Sequence, residues 1–105
     1  MLSGLRIDEL QIGDGAVAVR GARVTVRYTG YLNPGDAFQA DQVVTFAVGE
    51  RKTIAGLSWG VEGTRVGGRR RLRVGPHLAY RDKGVPGVIP PNAKLMLEVE
   101  LLAVG

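Results

Sequence analysis

The sequence predicts an α+β fold in which a curled antiparallel β-sheet wraps over one short α-helix. Three observations lead there. Apolar and polar residues alternate with a period of two in several separate stretches, the pattern of half-buried strands. Only residues 53–61 read as a helix. Glycine and proline interrupt the chain between these stretches, so the elements are joined by turns. At 105 residues the chain is expected to form one domain over residues 1–105, large enough for a single core.

Along residues 2–12, Leu5, Ile7, Leu10 and Ile12 are partly periodic and suggest an opening strand interrupted by charged residues. Gly13-Asp14-Gly15 is a turn. Residues 16–19 suggest a short edge strand ended by Arg20-Gly21. The clearest strand follows: Val24, Val26 and Tyr28 alternate with Thr25, Arg27 and Thr29, so Tyr28 points inward. Asn33-Pro34-Gly35 fits a type II turn at a hairpin tip, with Phe38 on the return strand. A third apolar run over residues 43–48 is rich in β-branched and aromatic side chains and stops at Gly49.

In the helix, Leu57 and Val61 share one face, with Ile54 at the entrance. Trp59 lies about 200° around from Leu57 and should face solvent, a loop or a partner. Gly56 and Gly60 each weaken an isolated helix by about 1 kcal/mol relative to Ala, so tertiary packing must hold it. Gly63 and Gly67-Gly68 suit a helix exit and a turn. In the next strand Leu72 and Val74 point in, while Arg69, Arg71 and Arg73 point out; Arg70 shares the inward parity and is expected near a sheet end. Gly75-Pro76 closes that strand. Residues 78–93 are too rich in glycine and proline for regular structure and should form an organised loop overhanging one end of the fold. In the final strand Leu95, Leu97, Val99 and Leu101 face in, and Met96, Glu98 and Glu100 face out.

Composition narrows the chemistry. A hydrophobic fraction of 45% excludes a disordered chain. No apolar run reaches the roughly 18 residues of a membrane span, and the first residues lack a signal-peptide pattern, so a cytoplasmic location with no membrane partner is expected. The absence of Cys excludes thiolate chemistry and disulfides. With His77 alone, neither a multi-imidazole metal site nor a Ser-His-Asp relay is expected. No phosphate-binding glycine loop is present, and Asp14, Asp36, Asp41 and Asp82 are scattered through turns. No metal or cofactor is implied. The net charge of +4 raises nucleic acid as a partner, and Arg65, Arg69, Arg70, Arg71 and Arg73 fall within nine residues. The outward glutamates of the last strand would neutralise these arginines if the two strands are neighbours, which makes nucleic acid the weaker reading. What remains is a set of inward apolar and aromatic residues, Tyr28, Phe38, Val44, Phe46, Ile54, Tyr80 and Ile89. Phe46 and Val26 read as plain core; Tyr80 and Ile89, held in a loop, read equally well as a pocket rim.

Several motifs carry a resemblance. They are Val26-Arg27-Tyr28-Thr29-Gly30, the Gly35 turn followed by Phe38, Phe46 to Gly49, Ile54 through Gly56 with Gly60-Val61, Val66-Gly67-Gly68 with Arg71-Leu72, Ala79-Tyr80, and Gly84-Val85-Pro86-Gly87-Val88-Ile89-Pro90-Pro91-Asn92-Ala93 leading into Leu95. In this order, over residues 17–104, the chain resembles the FKBP family of peptidyl-prolyl cis-trans isomerases, the macrolide-binding immunophilins. The resemblance implies a shallow apolar pocket walled by Tyr28, Phe38, Val44, Tyr80 and Ile89. Thr53 and Ile54 would stand at the helix entrance, with Leu57 as floor and Leu97 on the last strand. It further implies that Tyr80, Ile54 and Phe38 carry catalysis, that the Ile54 N–H and the Tyr80 hydroxyl orient the substrate, and that Gln39 borders the pocket. Proline-containing polypeptides would be the partners, with a role in folding.

The chain departs from the family pattern at three of these positions. Gln39 replaces the usual Asp, Leu57 the frequent floor Trp, and Leu97 a common aromatic; the segment between Phe38 and Val44 is also shorter. The two aromatic-to-aliphatic changes enlarge or flatten the pocket, which leaves macrolide affinity and catalytic rate open. The alternative reading is a catalytically weak or inactive module that holds a proline-containing partner.

Overall fold

Strand alternation places the hydrophobic face, and the hydrophobic face places the helix. The computed structural model describes residues 4–32, 35 and 37–105. Its strands are β1 (Leu5–Gln11), β2 (Arg23–Leu32), β3 (Ala37–Ala47), β4 (Arg69–Val74) and β5 (Leu95–Val104). Among the described residues these form one antiparallel sheet in the order β1-β4-β5-β2-β3. The sheet curls over α1 (Ala55–Gly60), the one α-helix among the described residues. A 3-10 turn, Pro76–Leu78, follows β4.

The inward residues fall where alternation puts them. Val24, Val26, Leu72, Val74, Leu95, Leu97, Val99 and Leu101 are buried, as are Leu57, Val61 and Phe46. Burying one such side chain contributes roughly 1.5–3 kcal/mol, so this shared face holds the sheet to the helix.

Gly56 and Gly60, which weaken α1 in isolation, are what allow it to lie on β4. A Cβ on Gly56 would stand 2.8 Å from Val74 Cγ2 and 3.1 Å from Val74 Cβ, and closer still to Cγ1. One on Gly60 would meet Leu72 Cδ1 at 2.5 Å. The two glycines, one turn apart, form a bare track over which the β4 side chains pass. Arg70 completes the docking. Its Nη1 donates to the carbonyls of Gly60 (3.0 Å) and Glu62 (2.7 Å) at the helix exit, and its Nε pairs with the Glu9 carboxylate. Arg70 lies near the end of β4, as expected, and from there its inward parity serves to close α1 against the sheet.

The strand charges meet as expected on the other face. Arg71 donates from Nε and Nη2 to Glu98 Oε2 at 3.2 and 3.0 Å, Arg27 stands 3.9 Å from Glu100, and Arg73 4.0 Å from Asp8. Arg69 lies opposite Glu100 in the β4–β5 register.

Four local expectations change. The return strand and the third apolar run are one strand, β3, kinked rather than broken at Asp41, whose φ is +48°. The Asp41 N–H donates to Thr29 Oγ1 at 3.2 Å, so β2 steadies the kink from across the sheet. Residues 16–19 form no strand beyond the single bridge Val17↔Arg65. The opening strand spans Leu5–Gln11, leaving Ile12 79% exposed. The helix is shorter than 53–61, because Ile54 is extended and only its carbonyl joins the helical bonding. The expected hairpin tip at Asn33-Pro34-Gly35 lies largely outside the described residues, Asn33 and Pro34 being among the rest.

Candidate active site

The candidate residues come from β2, β3, the entrance of α1 and the loop after β4. On β2 the alternation of Val24 and Val26 leads to Tyr28, half-buried at the end of the core face. The β2–β3 pairing then shifts register between Tyr28 and Gly30. That shift brings Gln39 within reach, and the Tyr28 hydroxyl donates to Gln39 Oε1 at 2.8 Å. Next to it the Phe38 ring lies directly on the backbone of Gly30. A Cβ there would be 2.6 Å from Phe38 Cζ and 2.9 Å from Cε2, so only glycine lets the ring settle.

At the entrance of α1, Ile54 has φ −60° and ψ 146°, and its carbonyl accepts from Leu57 N–H (3.1 Å) and Ser58 N–H (3.0 Å). Among the described residues no acceptor engages the Ile54 N–H. The preceding segment is pinned by Ser58, a buried hydroxyl that accepts from Gly49 N–H and donates to the Glu50 carbonyl, each at 2.9 Å. Sequence reading passed over Ser58; a small polar residue next to Leu57 on an otherwise apolar helix was the available signal.

The loop after β4 is held by its own backbone. Arg81 N–H donates to Pro76 O (2.8 Å), Gly84 N–H to Tyr80 O (3.0 Å) and Asn92 N–H to Arg81 O (2.8 Å), while Val85 and Ile89 exchange bonds of 2.8 Å. This frame presents Tyr80 half-buried. Burial raises the Tyr80 hydroxyl above the ordinary tyrosine value of 10.0, and it raises Tyr28 likewise, with the neighbouring Tyr80 adding to the effect. Both phenols are therefore neutral donors at physiological pH.

The ten predicted residues separate into two layers. Tyr28, Phe38, Val44, Ile54 and Tyr80 are partly buried and pack against the same core cluster, and Gln39 and Thr53 are also half-exposed. Leu57, Leu97 and Ile89 lie beneath them, at 1%, 1% and 4% exposure. Ile89 is thus core rather than rim, because its reciprocal bonds with Val85 fold the loop inward; Val88 is the exposed neighbour. Trp59 faces a loop: it is half-buried, close against Gly49, with the Arg20 guanidinium 4.7 Å from its ring centroid. Among the described residues no cluster of side chains suited to a metal ion is found.

The sequence pattern described as FKBP-type peptidyl-prolyl cis-trans isomerase matches residues 15–102. An FK506-binding protein of Neisseria meningitidis serogroup B is 41% identical over 107 residues, covering 98% of this chain and 98% of its own length. The chain belongs to the FKBP-type peptidyl-prolyl cis-trans isomerase family. FK506-binding protein 4 of Aspergillus oryzae is 42% identical over 106 residues, but the chain spans only 22% of that relative's length. Among solved structures, AtFKBP13 superposes with a TM-score of 0.88 at 30% identity, covering 98% of this chain and 94% of the other. A peptidyl-prolyl cis-trans isomerase of Pseudomonas syringae superposes at 0.85 with 32% identity, covering 98% and 77%. The FKBP sheet-on-helix arrangement is the one described above. In this member the residue that accepts from Tyr28 is an amide, Gln39.

Proposed function

We propose that the chain accelerates rotation about Xaa-Pro bonds in polypeptides, with the wall of Tyr28, Phe38, Val44, Ile54 and Tyr80 as its site. What supports this reading is the set of half-exposed aromatic and apolar side chains packed on a buried apolar core, with an Ile54 N–H that no acceptor engages among the described residues. The amide bond resists rotation by about 18–20 kcal/mol because its resonance must be lost. Twisting also reduces the charge separation of the amide, so an apolar wall that removes water disfavours the planar form more than the twisted one. Phe38 and Val44 supply that wall. The Ile54 N–H and the neutral Tyr80 hydroxyl are donors for peptide carbonyls, holding the chain while the bond turns. No proton transfer or covalent intermediate is involved in this reading.

Thr53 and Gln39 border the bound segment in this reading, and Leu57, Leu97 and Ile89 act as supports from below. Macrolides of the FK506 type are further ligands of the same pocket. A cytoplasmic folding role completes the proposal, and cell fractionation checks the compartment. The deciding experiment is the exchange rate of a short proline peptide by NMR with and without catalytic amounts of the protein. Acceleration that falls in Phe38→Ala and Tyr80→Phe supports the site. No acceleration by the wild type refutes catalysis, and binding without acceleration identifies a holding module instead.

A further inference from the structure

Behind the entrance of α1 lies a second concavity, an open groove of about 770 Å³. Its size falls within the roughly 300–1,000 Å³ range of ligand sites. Ile54 and Tyr80, two residues of the proposed proline site, line it. Trp59, Leu78 and Ala79 contribute apolar surface, and Arg51, Lys52, His77 and Arg81 contribute nitrogen groups. Among the described residues, Glu50 is the one carboxylate in the lining.

Four strand cations are neutralised, while Arg6, Arg23 and Arg69 on the same sheet enter no ion pair among the described residues. Arg27, Arg70, Arg71 and Arg73 are each paired with a carboxylate. Among the described residues, Arg51, Lys52 and Arg81 enter no ion pair. Of the three, Arg81 is held by bonds of its own backbone, and Arg51 and Lys52 stand exposed beside a pinned segment. The segment bearing Arg51 and Lys52 follows the Ser58 hydroxyl bonds to Gly49 and Glu50. Arg81 sits at φ +55°, with its N–H bonded to Pro76 O and its carbonyl bonded by Asn92. Three unneutralised cations thus stand around a partly apolar groove that two residues of the proposed site also line.

We propose that this groove is a subsite for the polypeptide flanking the proline, selecting substrates that carry an acidic residue within a few positions of it. The proposal rests on the isomerase reading for the position of the proline, and charge complementarity supplies the occupant. A polypeptide bound across Ile54 and Tyr80 is led into the groove on leaving the pocket. There a carboxylate meets Arg51, Lys52 and Arg81, and the adjoining side chain packs on Trp59 and Leu78. The selection is electrostatic, so it acts on affinity and association and weakens with salt.

The test uses otherwise identical proline peptides with Glu, Gln or Lys at one position, moved stepwise along both sides of the proline. Binding is read from the fluorescence of Trp59, which lines the groove. The expected result is that Glu at one or two positions binds about fivefold tighter than Gln at roughly 0.01 M salt, with Lys weaker than Gln, and that the differences vanish near 1 M. The variant Arg51→Gln/Lys52→Gln/Arg81→Asn should lose the preference while accelerating the Gln peptide like the wild type. Asn is chosen at residue 81 because it tolerates a positive φ. Equal binding of the Glu and Lys peptides at every position overturns the proposal, as does a preference that survives in the variant. Tighter binding of a single-stranded oligonucleotide than of the best Glu peptide overturns the assignment to a polypeptide. If no peptide is accelerated, the isomerase reading fails, while the binding series still decides the subsite.

Discussion

Replacing Gly56 by Ala separates helix propensity from helix docking, because the two predict opposite signs. Propensity alone favours the substitution by about 1 kcal/mol in a helix interior. The docked helix opposes it. The new methyl would stand 2.8 Å from Val74 Cγ2 and 3.1 Å from Val74 Cβ, against a carbon–carbon optimum of about 3.5–4.0 Å. Val74 cannot give way easily, since it is buried and β-branched with a restricted χ1. The helix must lift from β4 or the strand must yield, an overpacking cost of about 1–3 kcal/mol and more where the clash cannot relax. The expected net result is a loss of roughly 1–2 kcal/mol of stability. Lifting α1 also moves the Ile54 N–H, so the isomerase rate should fall in conditions where the variant remains folded.

Urea unfolding of Gly56→Ala, Val74→Ala and the double variant measures this. The methyl clash disappears when Val74 is shortened, so the double variant should be more stable than the sum of the single losses by about 1 kcal/mol or more. A Gly56→Ala protein as stable as the wild type, or more so, would refute the claim that the glycine track seats the helix.

Three further outcomes are expected. Tyr80→Phe removes a single hydrogen bond of about 0.5–1.5 kcal/mol, which corresponds to a roughly two- to twelvefold drop in kcat/KM, while Phe38→Ala removes the apolar wall and should cost about tenfold or more; both variants should unfold cooperatively in urea. Arg70→Ala leaves the Gly60 and Glu62 carbonyls without their donor and should destabilise by about 1–3 kcal/mol, whereas Arg71→Ala breaks a more exposed pair with Glu98 and should cost about 1 kcal/mol or less. For the phenols, burial raises both values above 10.0 in the folded state, so between pH 10 and the folded values the unfolded chain releases protons that the native state keeps. Stability from these groups is therefore complete below pH 10 and is lost as pH rises through the folded values, as urea midpoints in alkaline buffers would reveal.

The parts of the fold that were legible in the sequence are those where one face meets the core. Alternation in β2, β4 and β5 gave inward residues that are buried, because a period of two can serve only one buried face. β3 was harder to read. Between Ala40 and Val43 it is exposed, so no burial pattern constrains its residues, and Asp41-Gln42 looks like a turn. Its continuity comes from β2, through the pairs Tyr28↔Gln42 and Gly30↔Gln39, which are not local in sequence. Arg70 illustrates the same limit. Its parity was visible, but its three partners come from β1 and from the far end of α1, and the β1–β4 pairing together with the docking of α1 on β4 brings them to it. Ile89 was placed on the rim because glycine and proline surround it; the Val85–Ile89 bonds that turn it inward have no separate sequence signature. Of the half-exposed members, Tyr28 was legible from strand alternation and Tyr80 from its place in a breaker-rich loop, whereas Gln39 and Thr53 came from motif likeness, since a polar residue beside a strand end or turn looks the same in sequence whether or not it borders a pocket.

Gln39 bears directly on what drives the rotation. A carboxylate at this place could act on the twisted amide by its charge, and it would also compete for the Tyr28 proton donor. In this chain the Tyr28 hydroxyl is engaged with Gln39 Oε1 at 2.8 Å, which leaves the amide nitrogen, a donor, as the remaining polar group of that side chain. Among the described residues, the proposed wall of Tyr28, Phe38, Val44, Ile54 and Tyr80 offers neutral donors and apolar surface. Desolvation and orientation are the means of catalysis such a wall offers, and they predict a rate independent of pH from about 6 to 9, since both phenols stay protonated there. Gln39→Asp supplies the missing charge without changing the length of the side chain by more than one methylene. If charge at this position were needed, the Asp variant would be markedly faster than the wild type; if desolvation suffices, its rate should stay within about threefold, within the span of one neutral hydrogen bond.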